Sequence, residues 1–347
     1  MSDRVRERRA GGGSGPTLAD IARAAGVSTA TVSRVLNAPD SVKPERAARV
    51  RQAIHTLGYL PNGSARALAS RRSMTVGAVI PTLDNAIFAQ GLEAFQTRLQ
   101  EAGYALILAS SRYGLEEEAR LAETLLERRV DGLMLVGMQH QPGLLDRMGK
   151  LGVPHVLSWA YDRSGRLPCI GFDNARAAAD MARHLVGLGH RRFAMIAGLT
   201  EGNDRARDRV AGVRAVLALE GAVLPADAIV EVPYSYAAGR SAMRALMARP
   251  DRPSAVICGN DVLAVGAVLG AQDAGLVVPR DVSVTGFDDL PLAGEFRPAL
   301  TTMRVPAETM GRQAADWLLA VLAGDAPVLP DALPVELIIR QTTGVAA

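Results

Sequence analysis

The apolar residues of this chain follow two rhythms, and the change between them falls near residue 75. In "TLADIARAAG" the positions Leu18, Ile21, Ala22 and Ala25 share one helical face, with Thr17 as N-cap, Asp20 three residues on and Gly26 as the stop. "STATVSRVLN" begins on a second cap, Ser28, and brings Val32, Val35 and Leu36 to helical spacing. "KPERAARVRQAIHTLGY" has Pro44 near its first turn, Val50, Ile54 and Leu57 on one face and Gly58 at its end. Helices this short do not persist alone, so the three must share a core. "LPNGSARALASRRS" then interrupts the rhythm: Pro61, Asn62 and Gly63 break the chain, and "SARALA" has room for one or two helical turns.

Beyond Thr75 the period alternates. Strand-like runs occur at "TVGAVIP", "YALILAS", "GLMLVG", "PHVLSW", "CIGF", "RFAMIAG", "AIVEVP", "AVICGN", "VSVTGF" and "PVELIIR". Between most of them lie helical patterns such as "FAQGLEAFQTRLQEAG" and "DRVAGVRAVLALEG". Alternation of this kind predicts an α/β fold with parallel, doubly wound sheets covered by helices on both faces. Ten strands are too many for one typical sheet, which points to two similar lobes. Ligands of such folds lie beyond the carboxyl ends of the strands.

Charge separates the same two regions. The first 72 residues hold 13 Lys and Arg against 5 Asp and Glu, a net +8; the remainder holds 26 against 31, a net −5. A small basic module on a larger acidic body suits a polyanion partner for the module, although a solvated basic tail gives the same count. Residues 1–15, charged and then glycine-rich, read as a disordered tail, and "GGGSG" is no phosphate loop because no Gly-Lys-Ser/Thr follows. No apolar run reaches eighteen residues and none follows the charged start, so a cytoplasmic protein without membrane contact is expected. Cys169 and Cys258 sit in strand-like runs and read as buried free thiols.

Two short helices crossing at a tight turn need a small residue at the crossing, a residue tolerant of positive φ at the turn, and branched apolar residues inside the second helix. Ala22, Gly26, Val32 and Val35 meet those needs, so residues 16–61 read as a helix-turn-helix DNA-binding domain; a generic αα-hairpin shares the spacing. Catalysis finds no constellation. The five histidines, His55, His140, His155, His184 and His190, lack the spacing of a metal site or a nucleophile's partner, and no GxGxxG follows a strand. His190, in "GLGHRR", reads as a charged or capping residue. Neither an enzyme nor a cofactor is expected.

"TLADIARAAGVSTATVSRVLN" and "VKPERAARVRQAIHTLGYLPNGSARALASRRS" resemble the headpiece and hinge of the lactose-repressor (LacI/GalR) family of bacterial transcription regulators. The resemblance continues through "GLGHRRFAMIAG", "GNDVLAVGA" and "VPRDVSVTGFDDLPLAGEFRPALTTMRVP", and so spans residues 17 to about 343. It implies that the second helix enters the major groove of operator DNA. Thr29 and Ala30 would read base edges and Arg34 a guanine or a phosphate, Thr31, Ser33 and Asn37 would contact phosphates, and Thr17 and Ser28 would belong to the same DNA-binding set. It implies that residues 62–74 form a hinge helix in the minor groove, with Leu68 as wedge and Asn62, Arg66 and Ala69 beside it.

For the remainder the resemblance implies a periplasmic-binding-protein-like domain, residues 75–343, whose two lobes are joined by three crossovers. Lobe 1 would hold about 75–172 and 304–334, lobe 2 about 173–303 and 335–343. A polar effector, a sugar or sugar acid, would lie between them on Asp84, Asn85, Ile87, Phe88, Ser158, Trp159, Arg209, Tyr236, Asn260 and Asp288. Ser158 stands where several members carry an acid. The functional expectation is an allosteric repressor that binds a pseudo-palindromic operator as a homodimer. The tail "QTTGVAA" has no leucine heptads for a higher assembly.

Overall fold

The computed structural model describes residues 15–37, 39–60, 72–222 and 224–346. The tail 1–14, the hinge positions Asn62, Arg66, Leu68 and Ala69, and the side chain of Asn37 lie outside the described residues. The chain divides into two compact units, Met1–Ser73 and Met74–Ala347.

In the first unit, helices α1 (Leu18–Ala25), α2 (Thr29–Asn37) and α3 (Pro44–Leu57) enclose a small core. Thr17 and Asp20 form a reciprocal capping box, and Gly26 closes α1 in the left-handed region at φ 64°. Ser28 Oγ accepts the Thr31 amide and so caps α2. Ile21, Val32 and Val50 are fully buried, with Ala22, Ala25, Val35, Ala47, Ala53 and Tyr59 around them. Two of the expected apolar positions differ, since Leu18 and Leu57 are exposed. Both sit in terminal turns, where small alanines take the inner positions and leave no depth for a leucine.

The second unit contains two parallel sheets. The first has five strands in the order β2-β1-β3-β4-β5: β1 (Thr75–Ile80), β2 (Ala105–Ser110), β3 (Gly132–Val136), β4 (His155–Ser158) and β5 (Cys169–Ile170). Helices α4 (Ala86–Glu101), α5 (Leu115–Glu127) and α6 (Leu144–Lys150) connect them. The second sheet has four strands in the order β7-β6-β8-β9: β6 (Phe193–Gly198), β7 (Ile229–Val232), β8 (Ala255–Cys258) and β9 (Ser283–Thr285). Its helices are α7 (Asn174–Gly187), α8 (Asp204–Leu219), α9 (Tyr236–Met247), α10 (Asp261–Asp273) and the short α11 (Pro291–Glu295). An antiparallel ribbon of β10 (Thr302–Arg304) and β11 (Glu336–Ile338) accompanies the crossings, and α12 (Ala307–Ala323) packs on α4 of the first lobe.

All ten strand-like runs contain a strand; β10 was not anticipated, because three residues in "ALTTMRVP" carry no period. Buried strands explain the unbroken apolar runs: β1 from Val76 to Ile80, and all of β3, β6 and β8, are inaccessible. His190 corrects its expected role. It is buried, its Nε2–H donates to the Gly344 carbonyl at 3.1 Å, and Ser254 Oγ lies 2.9 Å from Nδ1. Burial lowers its pKa and so favours the neutral ring, whose bonds tie the C-terminal segment to lobe 2.

The α4–α12 contact depends on glycine. A Cβ at Gly311 would overlap the Gly91 carbonyl oxygen, and one at Gly91 would strike the Trp159 ring. Helix propensity alone favours Gly311→Ala by about 1 kcal/mol. The backbone clash reverses the sign, so this variant should be destabilised by about 1–3 kcal/mol in denaturant unfolding. Unchanged or increased stability would show that the two helices do not pack this closely.

Candidate functional site

Helix α2 sorts its side chains cleanly. Val32 and Val35 point into the headpiece core, while Thr29, Ala30 and Arg34 are exposed together on the opposite side. Ser28 and Thr31 share a 2.9 Å hydroxyl contact at the helix start, and Thr17 spends its hydroxyl on Asp20. The exposed positions thus carry one methyl, one methyl-plus-hydroxyl and one guanidinium, a set matched in size to base edges in a groove.

The second site lies in unit 2, between the two sheets at the carboxyl ends of their strands. Helices that begin there each have backbone N–H groups without a helical partner. Asn85 Oδ1 accepts the Ile87 amide at the start of α4, Asn203 Oδ1 the Ala206 amide at α8, and Asn260 Oδ1 the Leu263 amide at α10. The cap fixes the orientation of each amide, so every Nδ2 is turned away from its own helix. All three asparagines are buried, and all three line both compartments of the cleft.

Those compartments differ. The outer one has a volume of about 1090 Å³ and is bordered by Asp84, Arg112, Glu116, Gln139, Glu231 and the half-exposed Tyr236. The inner one is only about 20 Å³ and is bordered by Ile87, Phe88, Trp159, Arg205, Arg209 and Asp288. Tyr113 and Tyr234 stand at the junction with ring centroids 5.6 Å apart. Burial holds the Tyr113 phenol above its ordinary pKa, so it remains a hydroxyl.

Arg209 is held rigidly. Its Nε donates to Asn174 Oδ1 at 2.9 Å, its Nη1 to the Gly259 carbonyl at 2.6 Å, and its guanidinium lies 3.9 Å over the Phe287 ring. Arg205 pairs with Asp204 at 2.7 Å and donates to the Val136 carbonyl at 3.1 Å; Asp204 in turn accepts the Met138 amide at 2.6 Å. These bonds join α8 of lobe 2 to the end of β3 in lobe 1. They cross Gly137, at φ 89°, where a Cβ would overlap Arg205 Nη1.

Of the residues anticipated from sequence, Asn85, Ile87, Phe88, Trp159, Arg209, Asn260 and Asp288 meet at the inner compartment, and Asp84 and Tyr236 at the outer. Ser158 is a correction. It is fully buried at the end of β4, its hydroxyl donates to the Leu135 carbonyl of the neighbouring strand, and it borders neither compartment. Tyr113, Asn203, Arg205 and Tyr234 were not anticipated. A signal existed for Asn203: "GND" occurs at 202–204 and again at 259–261, each time with Asn as N-cap and Asp as first helical residue. Among the described residues no cluster of three His, Cys, Asp or Glu could hold a metal ion, and no helix is long and apolar enough to cross a membrane.

Asp288 is buried, and desolvation raises its carboxyl from 3.8 to about 7 against the opposing pull of Arg209 and a hydrogen bond from Asn85. The folded state therefore binds a proton that the unfolded state releases in that interval. Stability contributed by this group falls as pH rises from about 4 to about 7 and is flat above. Buried Asp261, shifted the same way by desolvation and then by Asp288, adds a slope of the same sign. Asp288→Asn should melt above the parent chain at pH about 7.5, with the gap closing toward pH about 4. A gap independent of pH in thermal unfolding would contradict the assignment.

Two family models match the chain: "Bacterial regulatory proteins, lacI family" over residues 17–62 and "Periplasmic binding protein-like domain" over 182–343. The transcriptional regulator GntR of Pseudomonas aeruginosa is 36% identical over 331 residues, covering 94% of this chain and 96% of that protein. The ribose operon repressor of Escherichia coli is 36% identical over 307 residues, covering 87% and 92%. The solved lac repressor dimer, bound to operator and the anti-inducer ONPF, superposes with a TM-score of 0.85 at 29% identity, covering 95% of this chain and all of that one. With a groove-sized helix on one unit and a polar interlobe cleft in the other, the chain belongs to the LacI family of DNA-binding bacterial transcriptional regulators.

Proposed function

We propose that the protein is a cytoplasmic, non-enzymatic repressor that binds a pseudo-palindromic operator as a homodimer and is governed by a small polar effector, a sugar or sugar acid, in the interlobe cleft. The observation that carries this reading is the pairing of two features in one chain. Helix α2 leaves Thr29, Ala30 and Arg34 exposed, and the cleft holds buried N–H groups, Trp159 Nε1 and Asn260 Nδ2, with no hydrogen-bond partner among the described residues. A buried donor left unpaired costs about 1–3 kcal/mol, which a ligand acceptor recovers.

Dimerisation finds support at the first sheet. β2 is its edge strand, yet Ile107 and Leu108 are more than a third exposed, a long apolar edge that a second copy would cover. Control would run through the bonds from Asp204 and Arg205 to Met138 and Val136. Because both lobes contribute to the cleft, an effector that binds one lobe arrangement more tightly shifts the population toward it. Paired hinges would then hold or lose the geometry that lets Thr29, Ala30, Arg34 and the Leu68 wedge act together on DNA.

Operator binding tests the reading, with genomic fragments competed against random duplex at several salt concentrations. Affinity should fall steeply with salt, as it does for any protein that releases counterions from phosphates. Arg34→Ala should lose about 1–3 kcal/mol of specific binding if the guanidinium reads a base. Leu68→Ala should weaken specific more than random binding while thermal unfolding stays unchanged. Equal affinity for genomic and random duplex would overturn the proposal.

A further inference from the structure

We infer that the effector carries a carboxylate, seated in the inner compartment, with its hydroxylated body in the outer one; this rests on the effector reading above. The inference follows from counting hydrogen-bonding capacity. Asn85, Asn203 and Asn260 each use the side-chain oxygen on a helix cap, and Asn85 also donates to Asp288, so what the three turn toward a ligand is chiefly N–H, with Asn260 Nδ2 wholly unengaged. Trp159 supplies a donor and no acceptor, and its Nε1 is buried and unpartnered, as is Asn260 Nδ2. Arg205 and Arg209, both buried, add guanidinium N–H groups beyond those bonded to Asp204, Val136, Asn174 and Gly259. Against these donors the inner compartment presents one side-chain carboxylate, Asp288, and the Tyr113 and Tyr234 hydroxyls, which can accept or donate.

Backbone adds to the imbalance. Three helices of 16, 16 and 13 residues direct their N-termini at this point, each a partial positive charge. A neutral hydroxyl can accept here but must also find an acceptor for its own hydrogen, and the caps have removed most of them. A carboxylate is acceptor only and brings about four lone-pair sites to the donors gathered here.

Size and charge assign the orientation. About 20 Å³ is room for roughly one water-sized group, enough for one carboxylate oxygen with the rest of the group at the Tyr113–Tyr234 junction, and too little for a sugar ring. The outer compartment has ample room and the opposite character: Asp84, Glu116, Glu201 and Glu231 line it against one arginine, Arg112. Carboxylates there accept from hydroxyls and repel a second anion. The ligand class is therefore an aldonic or uronic acid with the acid end inward.

The test uses the full-length protein and matched probes: gluconate, galactonate and glucuronate against glucose and galactose, with glucose 6-phosphate as the alternative anion. Thermal unfolding and Trp159 emission in a Trp317→Phe background report binding. At least one acid should bind roughly 10- to 100-fold more tightly than its parent aldose, the factor expected of charge-assisted hydrogen bonds. Asn203→Asp keeps a helix cap but exchanges an inward donor for a negative oxygen, and it should cut acid affinity by a similar factor. Asn260→Asp should do the same and covers the case in which the first variant fails to fold.

Parent aldoses or the phosphate binding as well as the acids, or acid affinity untouched by folded Asn203→Asp or Asn260→Asp, would overturn the carboxylate while leaving the effector site standing. Silence from every probe would also overturn it. Whether the effector reading then falls with it is decided separately, by whether a metabolite extract alters operator affinity.

Discussion

Everything at the cleft depends on how the first turn of a helix satisfies its backbone N–H groups. Parallel strands deliver α4, α8 and α10 to one place with their N-termini facing inward, and at each the chain uses asparagine as cap. Aspartate or serine would cap as well, at similar gain of about 1 kcal/mol. Only asparagine leaves an N–H pair over after its oxygen is used. A local requirement of helix formation thereby sets the polarity of a cavity assembled from three distant segments, and the strength of its preference for acceptors grows with each cap.

The two lobes meet through a contact of the same kind. Asp204 follows its capping asparagine, takes the Met138 amide and holds Arg205 on the Val136 carbonyl. Asp261, at the equivalent place after Asn260, takes the Leu290 amide at 2.7 Å and the Thr302 hydroxyl at 2.5 Å. One of these aspartates therefore bridges to lobe 1 and the other to the crossover ribbon. Each follows an asparagine that lines the cleft, so a ligand there lies one residue from both bridges, and through packed interfaces with few stable settings it would bias the arrangement of large bodies. Gly137 admits the first bridge because no side chain occupies its path.

Much of this was legible in the amino-acid order. Buried parallel strands such as β1, β3, β6 and β8 leave unbroken apolar runs, the partly exposed β2, β7 and β11 carry apolar runs as well, and caps and stops such as Thr17, Gly26 and Gly58 mark the headpiece helices. The residues that escaped are those whose role is set by where the fold brings them. Tyr113 sits in a loop at φ 65° and meets Tyr234 from the other lobe; neither neighbourhood signals an aromatic pair. Ser158 and Trp159 are adjacent in sequence, but Ser158 ends β4 with its hydroxyl on the Leu135 carbonyl, whereas Trp159 lies beyond the strand at φ 59° and borders the cleft. His190 reads in the sequence as a charged or capping residue, and only the packing of the C-terminal segment shows a buried ring bonded to the Gly344 carbonyl. Periodicity reports which side of an element is apolar, not what will lie against it.

The central claim is that occupancy of the cleft and grip on DNA are one linked equilibrium. Linkage makes the claim directly measurable: the factor by which a cleft-bound compound changes operator affinity must equal the factor by which operator changes affinity for that compound. Titrating each ligand in the absence and presence of the other gives both factors on the same protein. The account predicts a matched change of about 5- to 150-fold, the usual span of allosteric coupling. A compound that occupies the cleft, as judged by Trp159 emission, yet leaves operator affinity unaltered would contradict it.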